Sequence, residues 1–411
     1  MHIFVPSLDT SKANSMIQLR DGIYWVGAVD WSIRNFHGYI TNRGSSYNSY
    51  LIVDEKVALV DFVKALFAEE QIAHISEVID PKKVDYIVAN HAEPDHSGSI
   101  RRVIEACPNA EILATERCIN TLWRYYGGDI KATPVEKKPS LKLGKRSLTF
   151  VPVPMAHWPD SMVSYVPEEK LLLSNDAFGQ HLASSGRFDD EVDEAELMQE
   201  AEIYYANILM PLWRSVGRAI KALGGLPVEM IAPSHGVIWR KNPGTILKSY
   251  QGWVAGETKR KAVVVYDTMW HSTELMARAI ADGIESEGVV VKLMGLDSCH
   301  RSDVMTELLD ARAVVLGSAT LNNGMMPRMA DMLAYMKGLR PTGKIGAAFG
   351  SYGWGGEAPR LLDAFLAEMK FESAGECLRV NYVPTADDLT KCVELGAKVA
   401  AMVKASPAGP E

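Results

Sequence analysis

The sequence has no long apolar run and no excess of basic residues. No uninterrupted apolar segment reaches the roughly 18 residues that a membrane helix needs, and residues 1–16 are polar where a signal peptide would have its apolar core. Its 43 Lys and Arg against 51 Asp and Glu give a net charge of −8, which argues against a nucleic-acid-binding surface. We therefore expect a soluble, cytoplasmic protein that contacts neither membrane nor nucleic acid.

Cysteine is also scarce, and no two cysteines form a Cys-x-x-Cys pair. The five are Cys107, Cys118, Cys299, Cys377 and Cys392. Isolated cysteines are typical of reduced thiols in a reducing compartment. We therefore expect no iron–sulfur or rubredoxin-type site in this chain.

The length and composition predict two globular domains. With 411 residues and 47% hydrophobic residues, the chain is too long for a typical single core. The pattern becomes loose and polar over residues 249–261, which contain Gly252, Gly256 and a charged run. We therefore predict a first domain over 1–255 and a second over 256–411.

The strongest motif lies at residues 90–98, directly after an apolar run at 84–89 that is typical of a buried strand. Pro94 and Gly98 predict a tight loop here rather than a helix. The loop contains four potential metal ligands, His91, Glu93, Asp95 and His96. Two imidazoles and two carboxylates at this spacing suit a pair of ions better than one tetrahedral site. The alternative is a polar loop whose charges face water.

Three further predicted strands end in a ligand-type residue. Runs at 148–154, 170–175 and 228–234 precede His157, Asp176 and His235. Alone, each residue has an ordinary structural explanation as a core histidine, a helix cap or a turn residue. Four such strand ends together favour a metal site. The mixture of hairpins and β–α units predicts two sheets with helices on their outer faces.

Several other polar and aromatic residues are better explained by packing or solvation. The acidic run 189–196 is typical of a solvated helix start. Five further residues could line the metal pocket, but ordinary packing is the preferred interpretation of Trp31, His37, His181, Tyr204 and Tyr205. We leave all of these outside the predicted site.

In the second half, three buried strands end in loops suited to a phosphate and a flat ring. The run 262–266 leads into the hydroxyl-rich loop 267–274, which opens a helix, and such a loop can bind a phosphate. Strands at 313–317 and 345–349 end in two further loops, and ligands bind at this edge of parallel sheets. The alternative is helix caps and glycine turns. The candidate cofactor-binding residues are Thr268, Met269, Trp270, His271, Ser272, Thr273, Ser318, Ala319, Thr320, Asn322, Asn323, Gly324, Ser351, Tyr352, Gly353, Trp354 and Gly355.

Residues 91–96 read His-x-Glu-x-Asp-His, a variant of the His-x-His-x-Asp-His signature of the metallo-β-lactamase fold. Together with the downstream candidates, the first 250 residues resemble the diiron domain of the flavodiiron proteins. The resemblance implies that His91, Glu93 and His157 hold one iron, that Asp95, His96 and His235 hold the other, and that Asp176 bridges them. Replacing an imidazole by Glu93 makes the site harder and favours iron over zinc.

Residues 261–404 resemble flavodoxin, which implies FMN. The Ser/Thr-x-Trp-x-x-Thr version of the phosphate loop, with Trp270, is familiar from flavodiiron proteins. The two resemblances together imply an α/β chain with a metallo-β-lactamase-like αββα sandwich followed by a flavodoxin-like doubly wound parallel sheet.

The family resemblance implies an oxidoreductase that reduces O2 to water, NO to N2O, or both, with no catalytic side chain beyond the iron ligands. Electrons would come from a rubredoxin-like protein or a reduced coenzyme F420-type cofactor. They would pass through FMN to the diiron site of the partner subunit, in a head-to-tail homodimer or a dimer of dimers. The alternatives are a zinc hydrolase with a fused flavodoxin domain and a non-catalytic redox or gas sensor.

Overall fold

The computed structural model describes residues 17–406, and the prediction about residues 1–16 lies outside this range. The chain forms two compact units. The first comprises the segment up to Ile33, Arg43–Leu197 and Ala222–Pro243, and the second comprises Arg34–Asn42, Met198–Lys221 and the chain from Gly244 onward. The domain boundary between residues 255 and 256 stays a prediction.

The first unit contains two sheets. One has the spatial order Gln18–Arg20, Ile23–Trp25, Tyr50–Val53, Val57–Val60, Tyr86–Ala89, Glu111–Ala114 and Ala132–Pro134. The other has the order Ser140–Lys142, Ser147–Pro152, Met162–Val166, Leu171–Asn175 and Met230–Pro233. Tyr50–Val53 and Val57–Val60 form a hairpin, in which Val53 pairs with Val57 in antiparallel register. Short two-stranded ribbons join Ala28–Asp30 to Ser45–Tyr47 in this unit and Asn35–Phe36 to Tyr39–Ile40 in the second.

Alternate residues of the first sheet serve two different cores. Ile52, Val60 and Val88 pack into a cluster that also contains Phe150 and Leu173 of the second sheet. This is the pattern expected where a strand is buried on both faces. The core that positions the strand ends therefore lies between the two sheets.

The opposite face of the first sheet is covered by helices. Leu59 and Ile87 pack there with Ile75, Val103 and Leu122, one from each of three helices. The helices of this layer are Ala68–Val78, Ile100–Ala106 and Glu116–Tyr126. Helices on the outer face of this sheet are as predicted.

One local prediction is wrong. Pro94–Ser97 forms a short helix, where a loop was expected, because Pro94 occupies the first turn, in which its missing N–H has no helical partner to lose. The stretch 249–261, where the boundary was predicted, lies mostly in the helix Pro243–Ala255 and the strand Lys259–Asp267. Tyr250 is fully buried in that helix, so the stretch is only superficially polar.

The second unit is built on a parallel sheet. Its main order is Val290–Gly295, Lys259–Asp267, Ala311–Ser318, Ile345–Tyr352 and Glu372–Ser373, and Leu378–Asn381 also pairs with Ile345–Tyr352. The short strands Thr320–Leu321 and Gly324–Met325 form a separate ribbon. The order reverses on either side of Lys259–Asp267, which creates a ligand-binding crevice at the carboxyl ends of the strands.

Helices follow the strands of this unit, as predicted. The chain from residue 194 onward contains the helices Glu194–Tyr204, Trp213–Leu223, Pro243–Ala255, Ser272–Ser286, Arg301–Asp310, Pro327–Leu339, Ala358–Glu368 and Ala386–Ala405, and a π-helical turn at Tyr205–Leu209. Ile280 and Val399 of two of these helices share a core with Val264 and Val315 of the sheet. Within residues 17–406, every helix is too short or too polar to cross a bilayer.

Candidate metal centre and cofactor cavity

All seven predicted metal ligands lie close together, at the ends of strands in the first unit. Asp176 follows Leu171–Asn175 directly, and His235 follows the parallel neighbour Met230–Pro233. His91 follows Tyr86–Ala89 of the other sheet. The potential ligands from the two sheets therefore lie together, because the carboxyl ends of these strands are at the same end of the sandwich.

The first group consists of His91, Glu93, His157 and Asp176, whose ligand atoms all lie within 4.8 Å of one another. Nε2 of His157 lies 3.2 Å from Oε2 of Glu93 and 3.2 Å from Oδ2 of Asp176. Nε2 of His91 lies 3.3 Å and 3.7 Å from the same two oxygens. Ligands that are each ~2.1 Å from an ion and ~90–110° apart lie about 3.0–3.4 Å from each other. The spacing therefore fits one ion.

The second group consists of Asp95, His96 and His235. Nε2 of His235 lies 3.4 Å from Oδ2 of Asp95, and Nε2 of His96 lies 3.6 Å from Oδ1 of Asp95. Both oxygens of Asp95 are buried and accept no hydrogen bond of normal geometry. A buried carboxylate without such bonds is costly. The group therefore fits a second cation.

Asp176 faces both groups with different oxygens. Its Oδ2 faces His91 and His157, and its Oδ1 lies 2.8 Å from Nε2 of His96 and 3.4 Å from Nε2 of His235. Asp176 is 1% exposed. A carboxylate placed in this way has the geometry of a bridge between two ions.

The carboxylates control the pKa of the imidazoles. Burial alone would lower the pKa of His157 and His235, but hydrogen bonds and charges from neighbouring carboxylates, Asp176 above all, raise it to about 9 and about 10. These protons occupy positions that a metal would take, since a ligating histidine must be neutral. The donor set of three carboxylates and four imidazoles thus fits a pair of divalent ions.

Two of the histidines are oriented by hydrogen-bond acceptors that contact Nδ1, whereas their Nε2 faces the carboxylates of the site. Nδ1 of His91 lies 3.0 Å from Oδ2 of Asp160, which also accepts from the Ala92 N–H at 2.8 Å. Nδ1 of His235 lies 2.8 Å from the carbonyl oxygen of Ser46. Such acceptors fix the tautomer and the ring orientation of a metal ligand. By contrast, Nδ1 of His96 is buried without a hydrogen-bond partner.

Sequence reasoning missed Asp160 beside the site, and it assigned His181, which also lies there, to ordinary packing. Asp160 lies three residues after His157, and this proximity was the available signal. His181 lies 4.6 Å, centre to centre, from the ring of His235, and its Nδ1 is 2.7 Å from Oγ of Ser45. Burial holds the pKa of His181 well below its usual range, so its ring is neutral. His181 is therefore a packing neighbour of a metal ligand.

The other residues set aside are not members of either group of potential ligands. Trp31 is 58% exposed. His37 packs on Phe36 in the second unit, with ring centres 4.2 Å apart. Tyr204 and Tyr205 are buried in the second unit.

A cavity of about 630 Å³ opens at the predicted edge of the parallel sheet. This volume is typical of cofactor sites. Twelve of the predicted cofactor-binding residues line it: Met269, Trp270, Ser272, Ala319, Thr320, Asn322, Asn323, Ser351, Tyr352, Gly353, Trp354 and Gly355. The cavity also includes Leu321, Tyr382 and Val383, which sequence reasoning missed. The latter two follow the strand Leu378–Asn381 and so belong to a fourth strand end.

The remaining predicted residues, Thr268, His271, Thr273, Ser318 and Gly324, do not line this cavity. Two of them support its loops. Oγ1 of Thr273 lies 2.8 Å from Oγ of Ser351, and Oγ of Ser318 accepts from the Met326 N–H at 2.9 Å. Oγ1 of Thr268 is buried without a hydrogen-bond partner, beside the N-terminus of the helix Ser272–Ser286. A phosphate at that N-terminus would supply the missing acceptor, so the loop fits FMN.

Comparison with known proteins agrees with this arrangement of two sites. Residues 46–236 match the model of the ODP family beta lactamase, and residues 264–396 match that of flavodoxin. A nitric oxide reductase of Moorella thermoacetica is 51% identical, over 94% of this chain and 98% of the relative. The rubredoxin-oxygen oxidoreductase of Megalodesulfovibrio gigas is 42% identical, over 94% and 97%. The crystal structure of the flavodiiron protein from Giardia intestinalis is 37% identical, with a TM-score of 0.93 over 96% of this chain and 98% of that one.

The chain belongs to the flavodiiron protein family. This membership confirms the predicted fold class, a metallo-β-lactamase-like part followed by a flavodoxin-like part. It also confirms that the chain is an oxidoreductase. The cofactors of a flavodiiron protein, FMN and two irons, are those predicted.

Proposed function

We propose that this flavodiiron protein reduces O2 to water, NO to N2O, or both. One observation carries the proposal: two groups of buried metal ligands share Asp176, in a chain that also has a flavin-sized cavity. Both substrates are retained because one relative is named a nitric oxide reductase and another a rubredoxin-oxygen oxidoreductase.

The ligand sets follow from the two groups. His91, Glu93 and His157 would hold one iron, and Asp95, His96 and His235 the other. Asp176 would bridge them through its two oxygens. When bound, FMN supplies electrons, and the iron pair supplies redox equivalents and Lewis acidity. No side-chain nucleophile is required.

The protein's own contribution is placement and exclusion of water. Asp160 holds the ring of His91, and the backbone of Ser46 holds that of His235. At least 93% of each ligand side chain is inaccessible to solvent except for His157, which is 12% exposed. His157 therefore lies on the side from which a small gas can enter.

In the second unit, the three loops at the sheet edge would hold FMN. We assign the phosphate to the loop of Thr268, Met269, Trp270, His271, Ser272 and Thr273. Tyr352 and Trp354 line the cavity and are suited to contact the flavin ring.

The name of the M. gigas relative supports a rubredoxin-like electron donor. A reduced coenzyme F420-type cofactor is the second candidate donor. We also propose a cytoplasmic protein that forms a head-to-tail homodimer, or a dimer of dimers, in which the flavin of one subunit serves the iron pair of the other.

The first test measures iron, zinc and FMN per chain and then turnover. We expect two irons and one FMN, and rapid oxidation of the reduced protein by O2 or NO. Asp176→Ala should retain FMN and lose iron and turnover. Zinc together with ester or lactam hydrolysis would instead indicate the hydrolase alternative, and slow flavin oxidation with both gases would indicate a sensor. Parallel assays with each donor and each gas would then settle the preferred pair.

A further inference from the structure

A second cavity lies in the second unit and shares no residue with the flavin cavity. Its volume is about 100 Å³, several times the roughly 10–15 Å³ that one water needs. The helix Pro243–Ala255 contributes Trp253 and Val254, and Leu309 comes from the helix Arg301–Asp310. One part of its wall is thus aromatic and aliphatic, and the rest is polar, with Arg340, Thr342 and Lys344.

The first polar group of this cavity is the hydroxyl of Tyr205. The residue is 0% exposed, and its hydroxyl has no hydrogen-bond partner. Its ring is fixed by Tyr250 and Trp253, whose centres lie 5.1 Å and 4.9 Å away. Tyr205 also begins a π-helical turn, a feature found frequently at functional sites. A buried, rigidly held donor without a protein acceptor is available to a ligand.

The second polar group is the amine of Lys344, which is 4% exposed. It donates to the carbonyl oxygens of Leu309 and Ala311, and an ammonium has a third donor. No carboxylate lines the cavity. The charge of Asp310 raises the pKa of Lys344. However, Asp310 already forms ion pairs with Lys259 and Lys261. The cavity therefore contains a buried amine without a counter-ion, and an anionic ligand would stabilise its protonated form.

Arg340 adds a second cation to the rim. It ends the helix Pro327–Leu339 in a left-handed conformation, with φ 53°, and within residues 17–406 it forms no ion pair. The arrangement combines two cations and a hydroxyl donor with walls formed by Met210, Trp213 and Trp253. Such a site suits a ligand with one anionic end and one apolar end.

We propose that this cavity binds a short-chain carboxylate, with its oxygens on Tyr205 and Lys344 and its alkyl part against the tryptophans. A multiply charged anion such as phosphate would leave oxygens facing apolar walls. An alcohol of the same length would lack the charge that Lys344 and Arg340 require.

Calorimetric titration of the full-length holoprotein with sodium butyrate tests this proposal. Sodium phosphate and butanol are the matched probes. We expect saturable binding of one butyrate per chain and at least about tenfold weaker binding of either other probe, since a hydrogen bond to a charged group is worth that much or more. Tyr205→Phe should weaken butyrate binding about tenfold for the same reason. Arg340→Gln should weaken it several-fold.

Tyr205→Phe removes a hydroxyl that has no partner, so the fold should be retained. Tyr125→Phe, at a half-exposed tyrosine of the first unit, is the control and should bind like the unmodified protein. Absence of saturable butyrate binding would show that the cavity holds no carboxylate, and equal binding by Tyr205→Phe would show that butyrate binds elsewhere; either result overturns the proposal. Tighter binding of phosphate or butanol would overturn the assignment to carboxylates.

Discussion

At the scale of single residues, the orientation of the proposed ligand His91 depends on Asp160. Its carboxylate accepts from the ring of His91 and from the Ala92 N–H, so one side chain fixes both a ligand and the backbone beside it. Burial would raise the pKa of Asp160, but its bond to His91 holds the pKa below its usual range. Asp160 is therefore ionised and pulls the His91 proton to Nδ1, which leaves Nε2 available to a metal.

We predict that Asp160→Asn lowers iron affinity by about 10- to 100-fold, the usual effect of removing such an acceptor. The measurement is iron retained per chain during titration with a chelator. FMN content should not change, because Asp160 lies in the first unit. Asp21→Asn, at an exposed carboxylate, is the control, and equal iron retention in both variants would refute the role of Asp160.

Lys344 gives a prediction about pH. Burial lowers its pKa to about 7, whereas an unfolded lysine titrates near ~10.4. Between these values the unfolded chain binds more protons, so the stability due to this group is lowest below pH 7 and rises with pH. We predict a rise of up to about 1.4 kcal/mol per pH unit between pH 7 and 10.

The check is urea unfolding at pH 7, 8 and 9 of the unmodified protein and of Lys344→Met. The variant should lack the contribution of Lys344 to the rise in the free energy of unfolding. The difference in this free energy between the two proteins should therefore change steadily with pH. Lys131→Met, at an exposed lysine, should behave like the unmodified protein. If the free energy of unfolding changed with pH equally in Lys344→Met and in the unmodified protein, this result would contradict the lowered pKa of Lys344.

At the scale of elements, Asp61 ties together the strand ends that carry the ligands. Its carboxylate accepts from the backbone N–H and side chain of Asn90, at 2.7 Å and 2.9 Å, and from Asn175 at 3.4 Å. Asn175 in turn donates to Ser234. Each of these three partners directly precedes a metal ligand in the sequence. The network therefore sets the relative positions of three strand ends from both sheets.

We predict that Asp61→Ala lowers the free energy of unfolding by about 3 kcal/mol, because it leaves buried donors of Asn90 without an acceptor. Urea unfolding followed by circular dichroism measures the change. Asp129→Ala removes only an exposed ion pair with Arg101 and should cost less than about 1 kcal/mol. Equal losses in the two variants would show that the network does not stabilise the fold.

The phosphate loop gives a prediction at the same scale. Thr268→Val removes the unpartnered hydroxyl beside the helix N-terminus and should weaken FMN binding about tenfold, the worth of one hydrogen bond to a charged group. Fluorescence titration of the flavin-free protein with FMN measures this. Thr390→Val, at an exposed helical threonine, is the control. Unchanged FMN affinity would remove Thr268 from the phosphate site.

An element can be predicted from the sequence when the residues that determine it are neighbours in the chain. The strands before His91, Asp176 and His235 were predictable because runs of buried apolar residues are a local signal. The helix Pro94–Ser97 was not, because proline is compatible with both a loop and a first turn. The position of Tyr382 was not predictable either. It lines the flavin cavity because the end of a fourth strand reaches the cavity, and the order of strands in the sheet determines this.

At the scale of the whole molecule, the order of the two parts was predictable from motifs. Residues 91–96 and the loop at 267–274 each have a recognisable spacing, and together they define the family. Partners such as Asp160 and Asp61 have no spacing signature, because their roles arise from contacts between distant segments. Assembly between subunits depends on surfaces, about which the motifs say nothing.

The proposed head-to-tail dimer can be tested by mixing two inactive variants. Asp176→Ala should keep FMN and lose iron, and a variant with both Thr268→Val and Ser272→Ala should keep iron and bind little FMN. If the flavin of one subunit serves the irons of the other, a mixed dimer has one complete pair. Random mixing makes half of the dimers mixed, each with one working site of two, so co-expression should restore roughly a quarter of the normal rate of O2 or NO consumption. Each variant expressed alone is the control, and a mixture as inactive as its components would show that electrons stay within one chain.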